Sequence, residues 1–134
     1  MRNTAIALFE QKEIRKIWHE EEWFFSIIDV VGILSESGNP RRYWSDLKIK
    51  LAEEGIQNEL YDSFVQLKMQ ASDGKMRLTD CANTEGILRI IQSIPSARAE
   101  PFKQWLAKIG YERIQEIEDP ELAMKRMRAL YETK

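Results

Sequence analysis

The stretch Trp23-Phe24-Phe25-Ser26-Ile27-Ile28-Asp29-Val30-Val31 is the densest apolar run in the chain. It opens as a buried strand and closes as a helix entrance. Ser26 and Asp29 stand three apart, just ahead of aliphatic residues, in a short form of the capping box. The Ser26 oxygen can accept from an early helix N–H, and the Asp29 carboxylate can reach back to the Ser26 N–H. The spacing therefore predicts the last strand of a small N-terminal sheet running directly into the first core helix. A capping box carries no chemistry, so the junction reads as a device that builds the fold.

The rest of the chain arranges itself around that junction. Residues 4–9 and 13–18 read as two strands ahead of Trp23–Ile27, separated by the polar breaks Glu10-Gln11-Lys12 and His19-Glu20-Glu21-Glu22. Such short spacing favours an antiparallel meander. The first helix is expected over Ile27–Ser35. Asn39, a good N-cap, and Pro40, a good first helical residue, open a second helix that stops near Gly55. Pro40, Tyr43, Trp44, Leu47 and Leu51 fall on its core face, while Arg41, Ser45 and Lys48 form an outward stripe. Residues 56–64 read as loop. Val65–Ala71 and Lys75–Cys81 alternate around Ser72-Asp73-Gly74, a strong hairpin signal. Asn83-Thr84-Glu85 starts a third helix, which ends before Ile94-Pro95. Ser96 caps a fourth, with Phe102, Trp105, Leu106 and Ile109 as its apolar stripe. Gly110 interrupts it, Tyr111–Glu118 resumes, and Asp119-Pro120 begins a last helix. The expected fold is α+β: a small antiparallel N-terminal sheet plus a second β-hairpin, packed with about five helices. Residues 1–110 form the domain and 111–134 a helical extension that stops without a closing signal, as if continuing in a longer protein.

Composition removes several functions. The chain has 134 residues, one cysteine and one histidine. It is one domain in size. Cys81 has no partner for an internal disulfide, and with His19 alone it cannot build a zinc site. His19 lies in a Glu-rich turn and no nucleophile has a supporting motif. The glycines are scattered at turns and helix ends, so no phosphate-cradling loop is present. Cys81 sits among apolar residues, as a small core side chain does. No run of about 18 apolar residues suggests a membrane span. A cytoplasmic protein with no catalysis and no cofactor is the expectation.

What remains is binding surface. The net charge is −2, which does not advertise nucleic-acid affinity, so any phosphate-binding face must be gathered by folding. Two basic features stand out. Arg41 and Arg42 begin the second helix, with Lys48 one face along. A helix N-terminus adds free N–H donors and a positive dipole end. Lys68, Lys75 and Arg77 lie on or near the hairpin tip. Helix N-termini and two-stranded ribbons both dock on DNA. The competing reading is that Asp46, Glu53, Glu54 and Asp73 neutralise these charges as on any solvated surface.

The order of elements resembles the Bro N-terminal domain family, found in prophage antirepressors and baculovirus repeated-ORF proteins. The residues that carry the resemblance are Ile6–Phe9, Ile14–Trp18, Glu22–Val31, Leu34, Asn39-Pro40, Leu78-Thr79-Asp80, Glu85-Gly86-Ile87 and the segment from Pro95 through Ala99 to Leu106. The aromatic-to-Asp-Val junction and the Phe-x-x-Trp-Leu helix are its specific parts. The resemblance implies a mixed α+β domain associated with nucleic-acid binding and phage regulation, without catalysis. It supplies no short motif of base-contacting residues. The contact set Arg41, Arg42, Lys48, Lys68, Lys75 and Arg77 therefore rests on charge and expected geometry. Two readings stay open: a DNA-binding regulatory domain, or a module that binds a repressor protein without touching DNA. A homodimer through Met124, Met127, Leu130 and Tyr131 would suit a duplex site.

Overall fold

The computed structural model describes residues 4–55 and 63–109. Strands β1 (Ala5–Phe9), β2 (Lys12–His19) and β3 (Glu22–Ser26) form the expected meander. Their two-residue turns, Glu10-Gln11 and Glu20-Glu21, hold both central residues at positive φ. The right-handed twist of a tight hairpin demands this, and glycine or asparagine would meet it with less strain.

β3 passes without a loop into α1 (Ile27–Ser35), and α2 (Pro40–Glu53) follows. β4 (Phe64–Gln70) and β5 (Met76–Ala82) form the hairpin, then come α3 (Thr84–Ser93) and α4 (Ala99–Ile109). The hairpin is not a separate second unit. It belongs to a single five-stranded antiparallel sheet in the order β1-β2-β3-β5-β4. Only Phe25↔Ala82 and Ser26↔Cys81 join the two parts, because β3 leaves the sheet there to become α1. Alternation within a strand says nothing about so distant a partner. Four helices lie among the described residues rather than about five; the segments expected over 111–118 and from Asp119-Pro120 onward lie outside them. None of the described helices is long and apolar enough to cross a membrane.

Both faces of the sheet bury apolar side chains, which accounts for the imperfect alternation of β2. On the helical face, Ile14, Trp23, Phe25 and Ala82 join the apolar sides of α1, α2, α3 and α4 in the main core. On the other face, Ile17, Phe24, Leu67, Met69 and Cys81 form a smaller cluster. Cys81 is fully buried, and burial pushes its thiol up to about 12, so it packs as an inert core group. In α2 the expected core face holds: Trp44, Leu47 and Leu51 are buried. In α4, Phe102 and Trp105 meet Phe9 edge-on at 4.9 and 5.7 Å, and the Trp105 indole donates to the Leu8 carbonyl at 2.8 Å. The aromatic helix thus covers part of the outer edge of β1. Gly86 marks a second tight contact. A Cβ there would lie 2.9 Å from the Ala82 methyl and 3.0 Å from the Ser63 carbonyl oxygen.

Candidate nucleic-acid interface

The strand-to-helix junction carries half of the expected capping box. Ser26 Oγ accepts from the Asp29 N–H at 3.4 Å. The Asp29 carboxylate does not turn back to Ser26; Arg15 of β2 claims it. The Arg15 backbone N–H reaches Oδ2 at 2.9 Å, where a further β3 residue would otherwise supply the ladder acceptor. The Arg15 guanidinium clasps the same carboxylate through Nε at 2.9 Å and Nη2 at 3.0 Å. It also donates to Ser26 Oγ and, through Nη1, to the Gln70 carbonyl at the end of β4. Hydrogen bonding to Asp29 outweighs burial and holds the guanidinium above its usual pKa. One arginine thus ties the meander, the start of α1 and the far end of the hairpin together. The Gln70 N–H completes the closure by donating to Thr4 Oγ1 at 3.0 Å.

This junction floors an open cleft of about 450 Å³, lined by Thr4, Ile6 and Glu13 on one side and by Gln70, Ala71 and Ser72 of the hairpin on another, with Arg41 of α2 at its rim. A neighbouring cleft of about 250 Å³ is lined by Arg41 of α2 and by Gln66, Leu78 and Asp80 of the hairpin. α2 therefore runs beside the hairpin with its N-terminus toward the tip.

At that N-terminus Asn39 caps as expected, its Oδ1 accepting from the Arg42 N–H at 3.2 Å. The Tyr43 N–H is used by the Asn39 carbonyl, and Pro40 has none. The helix end is therefore not the cradle of free amides expected from sequence. What it presents is its dipole and two exposed guanidinium groups. Among the described residues Arg41 and Arg42 form no ion pair.

The other expected contacts divide. Lys48 is paired with Asp80 at 3.2 Å. That carboxylate also accepts from the Trp44 indole at 2.8 Å and the Gln66 amide at 2.9 Å. Burial pushes the Asp80 carboxyl up, but these donors prevail and it lies below its ordinary value. Asp80 pins α2 onto the hairpin, and nothing in its local sequence signals that role. At the tip, the Ser72-Asp73-Gly74 loop closes with Ala71 N–H to Lys75 O at 2.8 Å and Gly74 at φ 85°. Arg77 pairs with Asp73, whose carboxyl that contact holds low. Lys68 and Lys75 are exposed and unpaired among the described residues.

The hairpin bases do not share one face. Lys68 stands opposite Leu78, while Arg77 stands opposite Met69. Strand alternation sends Lys68 to the α2 side of the ribbon and Arg77 to the other. Beside Lys68 on the α2 side stand Gln70, Met76 and Leu78, and Leu78 is 64% exposed. Sequence reading of charge alone passed over those apolar neighbours.

No curated protein and no solved structure matches the chain. Residues 13–116 match the family described as the BRO family, N-terminal domain. That span holds β2 through α4, including the Arg15–Asp29 junction, the α2 N-terminus and the whole hairpin. The chain therefore belongs to the BRO family, through its N-terminal domain.

Proposed function

We propose that this is the DNA-binding domain of a phage- or prophage-type regulator of the antirepressor kind, working in the cytoplasm as a homodimer. The observation that carries the reading is the pair of exposed guanidinium groups of Arg41 and Arg42 at the α2 N-terminus, which form no ion pair among the described residues, with Arg41 set beside the hairpin. Paired charges such as Lys48 have a carboxylate to satisfy them; Arg41 and Arg42 have none among the described residues and suit phosphate, which Arg grips in a bidentate fork. Lys68 and Lys75 extend the charge along the ribbon, while Lys48 and Arg77 must share theirs with Asp80 and Asp73. Family membership is consistent with a regulatory role. The test is titration of a labelled random-sequence duplex at low salt. Saturable binding is expected, weakened by Arg41→Ala with Arg42→Ala; no binding to any duplex at low salt ends the reading.

A second reading, a module that binds a repressor protein without touching DNA, draws on a different observation. Ile6 and Leu8 of the edge strand β1 are 50% and 59% exposed, the kind of surface that a protein partner covers. A repressor that co-purifies through high salt, with Arg41→Ala and Arg42→Ala neutral, would favour it.

A further inference from the structure

The geometry points to the α2-side face of the β4–β5 ribbon as a base-reading surface that enters the DNA major groove. This inference rests on the DNA-binding reading and deepens it. Lys68 faces Leu78 across the ribbon and Gln70 faces Met76, so four side chains form a square on one face. All four are exposed, with Leu78 and Met76 at 64% and 49%. Among the described residues none of their side chains is engaged in a hydrogen bond or ion pair.

The square combines the chemistries that distinguish base pairs. Glutamine pairs with the N6/N7 edge of adenine, lysine with guanine O6/N7, and apolar groups with the thymine methyl. A two-stranded ribbon fits the major groove, and ribbon proteins read DNA in this way. The surroundings favour that occupant over an apolar one. Arg41 lines the cleft that Leu78 also lines, so an exposed guanidinium with no ion pair among the described residues stands beside the square. The neighbouring Asp80 accepts from both Gln66 and Trp44, which fixes α2 against the base of the ribbon, while the Gln70 backbone is held at the outer end by Arg15 and Thr4 and leaves its side chain exposed on the face. Along one strand, Lys68 and Gln70 are roughly 7 Å apart at the usual strand rise, about two base-pair steps. The face should therefore specify only two or three base pairs per domain.

The test is selection from a random duplex pool, comparing the unaltered chain with Gln70→Ala and Leu78→Ala. Both residues are uncharged and exposed, so the fold and the salt dependence should not change. The unaltered chain is expected to select a short preference of two or three base pairs. Each substitution should erase roughly tenfold discrimination at one of them, while affinity for the unselected pool stays within about twofold. If the chain binds duplex without any preference, or if both variants keep the preference intact, the ribbon proposal is overturned and the DNA-binding reading stands. If the unaltered chain binds no duplex, the DNA-binding reading itself fails.

Discussion

Arg15 and Arg41 line the same cleft and carry the same charge, yet the structure uses them in opposite ways. Arg15 is clasped by Asp29, tied to Ser26 and to the Gln70 carbonyl, and its side chain is only 20% exposed. Arg41 is exposed and has no carboxylate among the described residues. The first charge is consumed in holding the sheet to α1 and the hairpin. The second is left over. In a chain of net charge −2, leftover charge identifies a binding surface better than total charge does, because Arg15, Lys48, Arg77, Arg89, Arg98 and Lys103 are each paired with a carboxylate.

That contrast can be attacked from several sides. The largest effect is expected at the structural arginine. Arg15→Met removes the guanidinium from Asp29, leaving only the backbone N–H bond, and should cost about 3 kcal/mol, read as a fall in the urea midpoint. A loss below about 0.5 kcal/mol would place Arg15 in the same class as Arg41. Gly86→Ala comes next, at about 2 kcal/mol, because the new methyl meets Ala82 and the Ser63 backbone.

Asp80→Asn should cost about 1 to 2 kcal/mol at neutral pH by weakening the bonds from Trp44, Gln66 and Lys48. Because the Asp80 carboxyl titrates below its ordinary value, its contribution is whole above that ordinary value. It is lost as pH falls through the lower folded one. Denaturation curves of the variant and the unaltered chain should therefore converge in strong acid; a gap that widens there would reverse the sign. The smallest effect is a gain. Gln11→Gly and Glu21→Gly relieve the positive φ values at the two tight turns and should each add about 0.5 to 1 kcal/mol, seen as a raised melting temperature.

Much of the scaffold was legible because its signals are local. The aromatic run into Asp-Val, the Asn39-Pro40 start and the Asp-Gly loop each specify backbone within a few residues, and each appears where expected. The failures are nonlocal. Nothing near Asp29 announces that Arg15, fourteen residues earlier, will take its carboxylate in place of the Ser26 N–H. Nothing near Asp80 announces that it will neutralise Lys48. The merging of the hairpin into one sheet depends on two residue pairs at a point where β3 is already leaving. The separation of Lys68 from Arg77 was within reach of the sequence. A three-residue loop sets Lys68 against Leu78, and period-two alternation then puts Arg77 on the far side.

The central claim is that the α2 N-terminus grips phosphate with charge that no other described residue pairs with. It is tested most directly by the salt dependence of duplex binding, measured for the unaltered chain and for Arg41→Ala with Arg42→Ala. The slope of log affinity against log salt should fall by about two with both arginines removed, roughly one per phosphate contact, while the urea midpoint stays put. An unchanged slope would contradict the claim.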